Sequence, residues 1–246
     1  MQSSNPVLRN DPFASAPATG AVMTIGGAVW KTAFLLLLAV VTGSITWMQF
    51  NARGPVAVMP WVMGSALVAL GIALGISFKP TWAPGLAPVY GLLEGVVLGG
   101  LSAWYTAQYP GKGIAFAAAG GTVATLAGML FAYQTGILRA TDTFKRGVIA
   151  ATFGIFLFYM ASMLLGMFGV QIPGVFGSGW VGIGFSLFVV AIAAMNLVLD
   201  FDFIEQGARS GAAKYMEWYA AFGLMVTLVW LYLEILRLLA KVAGRR

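Results

Sequence analysis

The chain has eight carboxylates among 246 residues, and three of them sit within six positions of "NLVLDFDFIEQG", at Asp200, Asp202 and Glu205. Three more stand in apolar surroundings: Glu94, Glu217 and Glu234, the last three residues before Arg237. Histidine and cysteine are absent. That removes thiolate chemistry, disulfides, sulfur-ligated metal and the one side chain that changes charge near neutrality unaided. Any proton or cation chemistry must therefore rest on the carboxylates. Carboxyl groups withdrawn from water beside one another titrate as coupled groups and hold protons at higher pH than isolated ones. A chain without histidine could sense pH in this way. The same oxygens suit a hard cation such as calcium.

The elements that must position them are membrane helices. Hydrophobic residues make up 60% of the chain and charged residues 9%, whereas soluble domains carry roughly a quarter charged residues. Seven runs are long enough to cross a bilayer, over residues 33–50, 56–78, 88–107, 113–133, 147–168, 180–204 and 217–240. Their continuous Leu, Ala and Gly content is helical, since barrel strands would alternate over about ten residues. The expected fold is an all-α, polytopic seven-helix bundle forming one domain over residues 22–246, preceded by a flexible polar tail over residues 1–21. Within that domain, residues 22–32 read as an interfacial lead-in or a linker, with Trp30 and Lys31 at headgroup level. Gly91, Gly95 and Gly99 fall four apart on one face of helix 3, a spacing that lets helix backbones approach closely.

Lys and Arg are unevenly divided between the two sides. Arg9, Lys31, Lys79, Arg139, Lys145, Arg146, Arg209 and Lys214 fall on one side, and only Arg53 and Lys112 in the opposite loops. The positive-inside rule then places the N-terminus in the cytoplasm. Seven crossings put Lys241, Arg245 and Arg246 outside, against that rule. Either the loops outvote this tail or one run is re-entrant, and the loop bias favours the first.

Depth follows from a rise of about 1.5 Å per residue. Glu94, Asp200, Asp202 and Glu217 fall in the cytoplasmic half, and Glu234 in the outer half with Arg237 one turn away. Asp200 and Asp202 point about 200° apart on a helix, while Asp202 and Glu205 share a face. Asp200 is the best candidate to face the bundle interior as the pH-sensing group, with Glu94 as its neighbour. Asp202 and Glu217 are secondary candidates; with Glu205 they otherwise read as charges at solvated helix ends. Glu234 and Arg237 read as a structural ion pair. No Lys lies inside any of the seven runs, which excludes a retinal Schiff base, and a histidine-ligated zinc hydrolase is excluded too. No basic cluster suggests nucleic acid.

The stretches "SSNPVL", "EGVVLG", "LVLDFDFIEQGA" and "EWYAAFGLMVTLVWLYLEILRLLA" resemble the bacterial YccA-like branch of the Bax inhibitor-1 family over nearly the whole chain. The resemblance implies helix 7 at the centre of the bundle and a pH-sensitive calcium leak of the inner membrane, not an enzyme, gated by carboxylates on helices 6 and 7. Asp200 stands at the family's helix 6 aspartate, Glu94 at its helix 3 acid and Arg237 at its late helix 7 arginine. Thr227 stands where the family has its helix 7 aspartate, and helix 2 has no charge between Val56 and Phe78. No bound cofactor is implied beyond a transient calcium ion at Asp200 and Glu94. The expected partners are the lipid bilayer and calcium or another cation. The rival expectation is a non-conducting regulator that binds a membrane partner such as an AAA-type membrane protease, a role that would depend on the N-terminal tail.

Overall fold

The computed structural model describes residues 20–169 and 175–245. Its elements are α1 (Ile25–Arg53), α2 (Pro55–Phe78), a 3-10 turn (Pro80–Trp82), α3 (Ala83–Gln108), α4 (Ile114–Gln134), α5 (Asp142–Met167), α6 (Trp180–Arg209) and α7 (Met216–Ala243). All seven α-helices are long and apolar enough to cross a membrane. Among the described residues there is no strand, only one isolated antiparallel bridge between Val22 and Ala213. The protein is a polytopic seven-helix membrane bundle. Below, the near end is the one where α1 begins, and the far end is the opposite one.

Helix boundaries follow local chemistry. Gly54, with φ at 78°, ends α1, and Pro55 opens α2 at once. Proline is favoured there because its missing N–H falls where a helix start has no acceptor for one. Thr141 caps α5, its hydroxyl accepting from Phe144 N. The lead-in expected over residues 22–32 is replaced by helix from Ile25 onward. Thr24 is its N-cap, with the side-chain oxygen accepting from Gly27 N at 3.0 Å. The N-terminal tail expected over residues 1–21 lies outside the described residues except for Gly20 and Ala21.

Helix α7 is the axis of the molecule. In the most apolar stretch of each helix, 56% of α7 is buried, against 17% of α2 and 11% of α5. Helices α1, α3, α4 and α6 surround α7, whereas α5 leans on α6. Lipid therefore covers most of α2 and α5, whose outward residues include Val56, Phe78 and Phe153.

The closest helix pair is α1 with α3, and the expected glycine face makes it. A Cβ at Gly95 would lie 1.9 Å from Thr42 Oγ1 and 2.4 Å from Ala39 O; one at Gly99 would lie 2.2 Å from Gly43 O. The Thr42 hydroxyl crosses the contact to Leu92 O at 2.9 Å. Close backbone approach of this kind supplies the van der Waals contact that hydrophobicity cannot supply between helices in lipid.

Candidate functional site

The three clustered carboxylates on α6 diverge toward three different helices. Asp202 meets Lys145 of α5 at 2.5 Å and also accepts from Gln206 one turn on. Glu205 accepts from Tyr133 of α4 and pairs with Arg209, each at 2.5 Å. Asp200 turns toward α7, where Thr227 is the hydroxyl set against it. That hydroxyl has one hydrogen, which is shared between Asp200 and Gly223 O on its own helix, the latter at a long 3.3 Å. Asp200 Oδ2 is left buried without a hydrogen-bond partner. A buried acceptor in that condition costs about 1–3 kcal/mol, and more when it is charged.

Glu94 lies elsewhere. Its side chain is set against Tyr90, one turn earlier on α3, and the Tyr90 ring packs edge-on against Phe222 of α7 at 5.0 Å. Tyr90 belongs to an apolar cluster that includes Leu35, Ala221 and Met225, while the residue after Asp200, Phe201, belongs to a separate one with Leu197, Leu224 and Leu228. Among the described residues, no group of three or more Asp or Glu side chains is placed to hold a metal ion. The donors that fit a cation at Asp200 are its own oxygens and the Thr227 hydroxyl.

Glu217 corrects the expectation of a solvated helix end. Its side chain is fully buried, with Lys31 and Lys214 both ion-paired to it, the latter at 2.7 Å. Thr24 adds its backbone N–H at 2.9 Å and its hydroxyl at 2.8 Å. Space for this carboxylate exists only because residue 27 is glycine: a Cβ there would lie 2.1–2.4 Å from the carboxylate atoms. The segment before α1 closes over the site, with Met23 N donating to Ala212 O at 2.7 Å and Lys214 N to Ala21 O at 3.1 Å. Glu217 thus caps the start of α1 from the first turn of α7, where a negative charge also meets the favourable end of each helix dipole.

Toward the far end, Glu234 and Arg237 pair at 2.9 Å. Tyr159 of α5 joins both, donating to Glu234 Oε1 at 3.0 Å and accepting from Arg237 at 2.8 Å. One turn further along, the buried Lys241 donates to Val175 O, Gly182 O and Ser186 Oγ at 2.8–2.9 Å. No carboxylate pairs with it among the described residues, and three neutral acceptors use its three hydrogens.

Several of these residues were not singled out as site residues in the sequence. Thr24, Lys31, Lys214 and Lys241 looked like loop or interface positions, and the helices extend past the apolar runs to take in Lys31, Lys145 and Lys241. Tyr90, Tyr133 and Tyr159 carried the one available signal: a hydroxyl-bearing ring inside an apolar helix needs a partner for its O–H.

Comparison with known proteins gives one result. No curated protein and no solved structure matches the chain. The family model described as Bax inhibitor 1 like matches residues 5–244. With nearly the whole chain matched and seven membrane-spanning helices arranged around α7, the protein belongs to the Bax inhibitor 1-like family.

Proposed function

We propose that this protein is a pH-sensitive cation leak of the inner membrane, with calcium as the permeant ion, gated where Asp200 of α6 meets Thr227 of α7. The observation that carries this reading is the buried, unpartnered Asp200 Oδ2. An oxygen in that state can be satisfied in two ways, by a proton or by a cation. A proton gives it a donor and removes the charge, which lets α6 settle against α7. A cation takes the place of the proton when the site is ionised. Membership of a family with proposed calcium-leak activity supports the choice of ion. Thr227 in place of an acid leaves a single carboxylate at this contact, so the response to pH is expected to follow one group rather than a pair.

Glu94 is the second acid of the pathway, held by Tyr90 on α3. The near end is assigned to the cytoplasm, where the loops carrying Lys79, Arg139, Lys145, Arg146, Arg209 and Lys214 meet the positive-inside rule.

The test is calcium flux into liposomes containing the purified protein, measured across pH for wild type and for Asp200→Asn. Wild type should show a pH-dependent flux, and Asp200→Asn, fixed in the neutral state, a flat one. Identical profiles would reject the gate. Wild-type protein that passes no calcium at any pH would favour a regulator that binds a membrane partner, a role that deletion of residues 2–21 should abolish.

A further inference from the structure

A groove of about 700 Å³ runs along the near half of the bundle between α1 and α4, with α6 and α7 as its floor. Beyond the groove, at the far end, α1 and α4 approach each other where the rings of Trp47 and Phe116 lie 6.2 Å apart. The walls are apolar: Val29, Ala33 and Leu36 from α1, Leu126 and Leu130 from α4. From Ile25 to Leu36 the wall rises about 17 Å, close to the hydrocarbon depth of one leaflet.

The mouth is polar and carries net positive charge. Asp202 and Glu205 reach it, but Lys145 neutralises the first and Arg209 the second. Arg139 also lines the mouth, and it has no ion pair among the described residues. Its guanidinium donates only a 3.3 Å bond to Gly136 O in its own turn, so most of its donor fork is uncommitted. A planar guanidinium at the membrane surface, above an apolar slot, matches a phosphate joined to an acyl chain.

We propose that this groove binds one anionic phospholipid of the surrounding leaflet, its phosphate at Arg139 and one acyl chain between α1 and α4 as far as Leu36 and Leu126. The lipid covers apolar wall that the helices leave unpacked and holds α4 at a fixed distance from α1. The site stands apart from the Asp200 contact and does not depend on the leak reading.

The test counts lipids retained by delipidated full-length protein in native mass spectrometry, after exposure to phosphatidylglycerol or phosphatidylcholine with identical chains. Wild type should retain one phosphatidylglycerol, about fivefold in preference to phosphatidylcholine, as expected for a single basic contact. Arg139→Gln should remove the preference while leaving weak binding of both lipids. Ala33→Phe, a change at an exposed position that fills the slot without entering the core, should lower retention of both. Both variants must keep the wild-type melting temperature in detergent.

Equal retention of the two lipids by wild type, or unchanged retention in both variants, would overturn the site and leave only unspecific surrounding lipid. Displacement of the lipid by inorganic phosphate alone would overturn the acyl-chain half of the proposal. Binding that appears only after deletion of residues 2–19 would identify the chain's own N-terminal segment as the occupant instead.

Discussion

Glu217 of α7 is fully buried and Asp200 of α6 is half-buried with its Oδ2 shut off from solvent, and their surroundings are opposite. Glu217 receives two lysines, a hydroxyl and a backbone N–H, and no part of its side chain reaches the surface. Asp200 has one hydroxyl facing it, Thr227, which it shares with Gly223 O, and its Oδ2 has no partner. Burial and charge therefore do not by themselves mark a working site. A carboxylate whose lone pairs are all filled is a fastening, because protonating it or pulling it away would strand several donors together. A carboxylate with an unfilled, buried oxygen changes its free energy sharply when a proton or cation arrives. The first kind holds α1 to α7, and the second leaves a buried acceptor open.

The largest break in this contrast is expected from Glu217→Ala. It leaves Lys31 poorly solvated and the Thr24 N–H without an acceptor, at a cost of about 3 kcal/mol, the lower end for a broken buried pair because both lysines keep some contact with water. The melting temperature in detergent should fall more than for any other single acid-to-alanine change, and protease should cut near residue 22 once the bridge to Ala213 opens. An unchanged melting temperature would mean that the four donors find water as good a partner.

Gly27→Ala reaches the same site without touching a charge. The added methyl carbon would occupy the space of the Glu217 carboxylate, which four donors hold in place. Overpacking of this kind costs about 2 kcal/mol. Combining it with Glu217→Ala should add almost nothing, since the first change has already emptied the space. Additive losses in that double mutant would show that Gly27 is needed for a different reason.

At the far end, Glu234 is intermediate between the two acids: Oε1 holds both Arg237 and Tyr159, while Oε2 is buried without a partner. Glu234→Gln keeps an acceptor for both donors and loses the charge, so a stability loss of about 1.5 kcal/mol is expected with little change in calcium flux. A large flux change at constant stability would move Glu234 from the structural class into the conducting pathway.

How far the sequence foretold this depends on how local the determinants are. The seven spans were legible because each is a continuous apolar run with its own turn chemistry, and the Gly91, Gly95, Gly99 face because helix periodicity is strictly local. Phase along α6 also separated Asp200 from Asp202 correctly, as their different partners show. The start of α1 differs from the interfacial lead-in or linker expected over residues 22–32, and its Gly27 leaves the room that the Glu217 carboxylate occupies. Glu217 itself was misjudged because its partners lie 186 and 193 residues away, in a segment whose path over the α6–α7 turn no spacing rule encodes. Long-range donors decide whether an acid is satisfied, and a single sequence does not display them.

The sharpest use of the comparison lies in its smallest effects. Asp200→Asn removes a charge whose facing donor, Thr227, is shared with Gly223 O, so it should leave stability unchanged or raise it by up to about 1 kcal/mol, the reverse of Glu217→Ala. Asp202→Asn, two residues away, weakens a pair with Lys145 whose side chains are 19% and 28% exposed. Pairs within reach of water contribute about 0.5 kcal/mol and are screened by salt. Its small destabilisation should therefore shrink further at high ionic strength, whereas the gain in Asp200→Asn, which arises from a desolvated oxygen, should not respond to salt. Measuring both melting temperatures at low and high salt separates the two neighbours. Should Asp200→Asn prove destabilising by more than Asp202→Asn, the Thr227 proton would belong to Asp200 rather than to Gly223 O, and Asp200 would join Glu217 as a fastening between helices.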